Sequence, residues 1–217
     1  MSHRFIDMFA ARAEALGMAS AEQTRLAKRA AALDKAGSTE DEGCIFCDIV
    51  ARREPGYIVF ENEHAMAFLD ILPIHPGHTL VVPKRHYVRT TDMPDEIGAM
   101  IGAVLPRVSR AVCKAMDQPD FNIVSNNGAF AACCSLLTCP GHGQVVDHVH
   151  YHIVPAPKRN GPESTKWRSP KKTGRYFGIG LGTRVELDDD EGERIGDLIR
   201  TALAQDTSSR SNAGGKL

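Results

Sequence analysis

No stretch of this 217-residue chain runs the roughly 18 apolar residues that a membrane-spanning helix needs, so no such helix is expected. A marked excess of charge of either sign is missing too. Lys and Arg total 26 against 27 for Asp and Glu, a formal net charge of −1. That balance gives no global attraction to nucleic acid or to a membrane surface. No continuous apolar segment follows the N-terminus, so no secretory signal is read there. The six cysteines are therefore expected as thiols or metal ligands in a reducing compartment, cytoplasmic or nuclear, and not as disulfides. An Arg- and Ala-rich N-terminus leaves mitochondrial targeting open, although Asp7, Glu14 and Glu22 argue against it. Internal repeats are absent. What remains, at 42% hydrophobic residues, is enough apolar material for a sizeable core.

The pattern along the chain is mixed. Residues 1–43 read as a helical extension followed by the exposed linker "GSTEDEG". "YIVFENEHAMAFLD" (57–70) reads as two strands around a turn at Asn62-Glu63, and "HTLVVPKRH" (78–86) as a third. Residues 93–116 carry Ile97, Met100, Val104, Val108 and Val112 at helical spacing, with Asp92 as the expected N-cap and Pro106 as an expected kink. "DFNIVSNNG" (120–128) is a fourth strand. A basic aperiodic loop follows residue 157. A helix is then expected at 187–205, with Ile195, Leu198, Ile199 and Ala202 on its apolar stripe, and a disordered tail at 206–217.

Chemistry concentrates in "VVDHVHYHIVPAP" (145–157). His148, His150 and His152 alternate with Val149, Tyr151 and Ile153. On a strand, alternate side chains share a face, so the imidazoles would stand together with the apolar residues behind them. A helix would scatter them through about 400° of rotation. Imidazole can attack phosphorus and form a covalent intermediate. To do so it must be neutral, with its second nitrogen held by an acceptor such as a backbone carbonyl. The plainer alternatives are a metal site or a packed polar patch.

"HVHYHIV" (148–154) resembles the signature of the histidine triad (HIT) superfamily. "CIFCDI", "AFLDILPIHPGHTLVVPKRH" and "NIVSNNG" follow the family's order over about residues 44–157. The continuation "VDHVHYHIVP", with "FGIG" and "ELDDDEGERI" further on, resembles the fungal Hint-type adenosine 5′-monophosphoramidases. The resemblance implies an α+β fold: one five-stranded antiparallel sheet per chain packed with a helix, in a homodimer. It also implies site roles. His150 matches the nucleophile, His152 the residue that orients its backbone, His148 the first triad histidine, and His78 a further histidine at the phosphate. Phe46 matches an aromatic wall of the nucleotide pocket, Ile71 a base-pocket residue, Asp70 the acceptor of the ribose hydroxyls, Asn126 an asparagine near the phosphate and Gln144 the glutamine upstream of the triad. Val145 stands where many relatives carry serine.

Cys44, Cys47, His86 and His148 resemble the structural zinc site of some HIT proteins; the alternative is a pair of reduced, half-buried cysteines. The implied substrate is a purine nucleotide, such as AMP-lysine, and no cofactor is required for the chemistry. Rival readings are a dinucleoside polyphosphate hydrolase and a non-catalytic nucleotide-binding scaffold. No zinc-finger pattern follows the triad, against a DNA-end deadenylase, and the HVH context argues against a uridylyltransferase. "ACCSLLTCPGH" (132–142) departs from the family's pattern. It reads as retained intron sequence; a functional loop and a metal site at Cys133, Cys134, Cys139 and His142 are the alternatives.

Overall fold

The computed structural model describes residues 43–128, 131, 144–156 and 186–213, with side chains as far as 207. The expected N-terminal helices, the 132–142 insertion and the basic loop fall outside these residues. Short apolar, β-favouring runs and turn chemistry account for the sheet. β1 (Ile58–Glu61) and β2 (Ala65–Leu69) are joined at Asn62, whose Oδ1 accepts the N–H groups of His64 and Ala65 at 2.9 and 2.7 Å. That is an Asx turn. β3 (Thr79–Pro83), β4 (Phe121–Val124) and β5 (Tyr151–Pro155) complete an antiparallel sheet in the order β1-β2-β3-β5-β4. With its helices this is the expected α+β architecture.

The two faces of the sheet do different things. Val59, Ala65, Ala67, Leu69, Val81, Val149 and Ile153 pack on one face, against α2 (Asp95–Met116) and α3 (Asp189–Ala213). Met66, Phe68, Leu80 and Val82 pack on the other, against α1 (Ile45–Val50), with Cys44, Phe46 and Cys47. Leu80 pairs with His152, so the imidazoles belong to the α1 side. Each large apolar side chain fully buried this way contributes roughly 1.5–3 kcal/mol.

Several boundaries differ from the sequence reading. β5 begins at Tyr151, so His148 and His150 lie just before the strand. Continuing the β3–β5 register, in which Val81 faces Tyr151, would set Val149 against Pro83. Proline has no N–H to give the ladder, and Val149 donates instead to the Tyr87 carbonyl at 2.7 Å. The alternation survives, since Val149 is still in the helix-side core. The N-cap of α2 is Pro94, not Asp92. Asp92 accepts the Arg89 N–H at 2.9 Å and closes a separate 3-10 turn, Thr90–Asp92. On α3, Leu198 is 41% exposed and Leu203 takes its place in the core. This helix also continues through residues 206–213, which were expected to be disordered. Arg107, Arg110 and Lys114 of α2 hydrogen-bond Thr207, Asp206 and Gln205 and hold that end.

Candidate nucleotide site and metal centre

His150 is 5% exposed. Its Nδ1 lies 2.6 Å from the His148 carbonyl oxygen. A carbonyl only accepts, so Nδ1 carries the proton and Nε2 keeps its lone pair. Burial pushes the His150 pKa below its usual value, against the opposing pulls of the His148 carbonyl and Asp70. The ring is therefore held neutral, in one tautomer. Phe46 supports it edge-on, with ring centroids 5.2 Å apart, and touches His148 and Phe68 in the same way.

His152 follows in β5, its ring 4.9 Å from that of His150. Its Nδ1 is 2.9 Å from Nε2 of His78, a residue placed immediately before β3. Asp70 follows β2. Its Oδ1 accepts the Leu72 N–H at 2.9 Å, and its Oδ2 stands 3.3 Å from His78 Nδ1. Ile71, 57% exposed, projects from the turn that Asp70 closes. The Ile71 carbonyl accepts the N–H of Leu187 at 2.8 Å, so the segment leading into α3 braces this rim. Nothing in the sequence marks that contact, because both partners are backbone groups.

On the opposite rim, Gln144 is 8% exposed. Its Oε1 accepts the Gly128 N–H at 2.8 Å, and its Nε2 donates to the Val88 carbonyl at 2.5 Å. The amide thus clips two turns together. Gly128, at φ +96°, adopts the left-handed backbone that favours glycine. Its carbonyl accepts the N–H groups of both Ala131 and Gln144. The residues flanking the insertion therefore converge on one atom. Asn126 is partly buried in this turn, and Val145, next to Gln144 in the chain, is 84% exposed.

Four metal-type donors meet at the start of α1. Cys44 Sγ is 3.4 Å from His148 Nδ1, Cys47 Sγ is 3.6 Å from the same nitrogen, and Cys47 Sγ is 3.4 Å from His86 Nδ1. All four donor atoms, one from each residue, lie within 4.8 Å of one another. A zinc tetrahedron with Zn–S near 2.3 Å and Zn–N near 2.1 Å has sulfur–nitrogen edges of about 3.6 Å. The distances fit it. His148 Nε2 donates to the Pro83 carbonyl at 2.9 Å, which leaves Nδ1 bare and facing the thiols. Backbone partners of this kind fix the tautomer of metal-bound histidines. Burial, first among its causes, lowers the His148 pKa to about 4, so the imidazole is available as a neutral ligand. With four protein ligands and no open position, an ion here would be structural.

Residues 51–159 match the HIT domain. An uncharacterised HIT-like protein of Methanocaldococcus jannaschii is 44% identical over 119 residues, covering 54% of this chain and 82% of its own. The adenosine 5′-monophosphoramidase of Schizosaccharomyces pombe is 38% identical over 126 residues, covering 58% of this chain and 84% of its own. A zinc-bound histidine triad family protein from Mycobacterium smegmatis superposes with a TM-score of 0.56 at 34% identity, over 80% of this chain and 99% of its own. The chain belongs to the HIT family, on its Hint-like side. That makes it a nucleotide hydrolase, a class that binds nucleotide substrates.

Proposed function

We propose that this protein hydrolyses the P–N bond of adenosine 5′-phosphoramidates through an adenylyl intermediate on His150. The observation that carries the reading is the 2.6 Å contact from His150 Nδ1 to the His148 carbonyl, which leaves Nε2 as an uncharged nucleophile. Nε2 attacks the α-phosphorus, the P–N bond breaks, and the amine departs with a proton drawn from solvent, which the hydrolytic water of the next step gives back. Water then cleaves the P–Nε2 bond, releasing AMP and restoring the imidazole. Displacement at phosphorus depends mainly on positioning and charge stabilisation, and a buried ring held by the adjoining backbone suits that task. Asp70 receives the ribose hydroxyls, Ile71 and Phe46 flank the base, and Asn126 with the Val145 N–H faces the phosphate. Gln144 acts by holding the turn that carries Asn126. The relative named a monophosphoramidase favours an amine as the leaving group.

Cys44, Cys47, His86 and His148 would hold a structural zinc, whose service is to fix the segment carrying His150 and not to touch the substrate. β4 is an outer strand with Phe121 and Ile123 exposed at 38% and 42%. An exposed apolar edge strand is a pairing surface, and a second copy of the chain is its proposed occupant. The experiment that tests the function compares AMP-lysine with diadenosine triphosphate, for wild type and His150→Ala. Preferred turnover of AMP-lysine, abolished by the substitution, is expected; equal rates in the two proteins reject the mechanism.

A further inference from the structure

Asp70 and the amide of Ile74 reach for the same atom of His78. Asp70 Oδ2 is 3.3 Å from Nδ1, and the Ile74 nitrogen is 3.2 Å from it. A carboxylate only accepts and an amide N–H only donates. A proton on Nδ1 serves Asp70 and sets two N–H groups against each other. A bare Nδ1 serves Ile74 and sets a lone pair against a carboxylate. No protonation state of His78 satisfies both. Across the ring, Nε2 is 2.9 Å from His152 Nδ1, so the choice made at one nitrogen is passed to the next imidazole. Both rings are buried, at 1% and 9% exposure.

Two arrangements follow, each with one proton per ring. In the first, His78 Nδ1–H donates to Asp70, His78 Nε2 accepts from His152 Nδ1–H, and His152 Nε2 is bare. In the second, Nδ1 accepts from Ile74, His78 Nε2–H donates to His152 Nδ1, and His152 Nε2 carries the proton. Passage from the first to the second sends one proton from His78 Nδ1 to water and brings one from water to His152 Nε2. The middle proton crosses from His152 to His78, and the total does not change.

The geometry points to a tautomer switch thrown by the ribose: hydroxyls that occupy Asp70 move His78 and His152 from the first arrangement to the second. The switch rests on the proposed placement of the ribose at Asp70. With Asp70 unoccupied, the charge-assisted bond is the stronger competitor for Nδ1, since such bonds are about twice as strong as neutral ones. Hydroxyl donors satisfy the carboxylate, and the Ile74 amide then prevails. His152 gains an N–H beside the nucleophile only when a riboside is bound, and donors at such a place stabilise charge developing on phosphoryl oxygens. His78 is thus a positioning residue that acts through His152.

Long-range proton–nitrogen NMR on the full chain with ¹⁵N-labelled histidine reads the tautomers directly. Without nucleotide His152 is expected protonated at Nδ1; with saturating AMP, at Nε2. With 2′,3′-dideoxy-AMP bound it stays at Nδ1. Asp70→Ala without nucleotide already shows the second arrangement. In turnover, a 2′,3′-dideoxy phosphoramidate loses about tenfold or more in kcat, whereas loss of a simple ribose contact would raise KM alone. An unchanged His152 tautomer while the Ile71 amide reports bound AMP overturns the switch and leaves the proposed function standing. So does an equal response to the dideoxy nucleotide. If AMP perturbs no resonance of the site, the nucleotide placement fails, and the switch with it.

Discussion

The sulfur of Cys44 lies 3.4 Å from Nδ1 of His148, joining the residue before α1 to the segment that carries His150, 104 positions along the chain. A metal at this junction would turn a loose contact into a fixed one. The purified protein is expected to hold about one zinc per chain. Cys47→Ala should abolish binding and lower stability by roughly 3–5 kcal/mol, followed by metal analysis and urea titration. Full stability and activity at zero zinc content would remove the site.

Acidity should affect activity late. Burial, the largest influence on His150, depresses its pKa. The reactive form is neutral, so kcat/KM should hold level as pH falls through about 6.5, the ordinary histidine value, and decline only below it. The sign for stability is the same. The unfolded chain takes up the proton first, so the contribution of the buried neutral ring is complete above 6.5 and is lost as pH falls toward the folded pKa. An acid limb centred at or above 6.5 in the pH–rate profile would contradict the burial argument.

Gln144 should behave as a clip. Truncation to Ala leaves the Gly128 N–H and the Val88 carbonyl without their partner, at about 1–3 kcal/mol for each group that stays buried. Chemical denaturation should show a loss of about 2–4 kcal/mol. A raised KM with unchanged stability would mean that the side chain serves substrate directly.

Ser109 is 3% exposed on α2, and its hydroxyl has no hydrogen-bond partner among the described residues. Removing an unpaired buried hydroxyl costs little and relieves its desolvation. Ser109→Ala should leave the melting temperature unchanged or raise it. A loss beyond about 1 kcal/mol would reveal a bond that this geometry lacks.

Much of this architecture is legible in the sequence because side-chain identity carries it. Continuous runs bounded by turns mark β2 and β3, which are buried on both faces, alternation marks the His148–Ile153 run, and the CxxC pair with His86 and His148 is a donor set before it is a place. Features that depend on backbone partners are not legible. Pro83 both ends the β3–β5 ladder and receives His148 Nε2–H, and no motif announces a carbonyl. The Ile74 amide at His78 and the Leu187 brace on Ile71 are equally silent. Asp92, two residues before the cap site at Pro94, has the chemistry of an N-cap but is drawn back to the Arg89 amide. Leu198 and Leu203 are both apolar candidates for the buried face of α3, and only its packing against α2 and β1 decides between them.

The most direct test of the central claim is rapid quenching of the protein during turnover of an adenosine 5′-phosphoramidate, with the adenylyl group located by peptide mass spectrometry. The account predicts an acid-labile adduct on His150 that forms and decays at rates compatible with turnover and is missing in His150→Ala. Sustained turnover with the adduct on another residue, or with none at His150 under conditions that trap the intermediate, would contradict it.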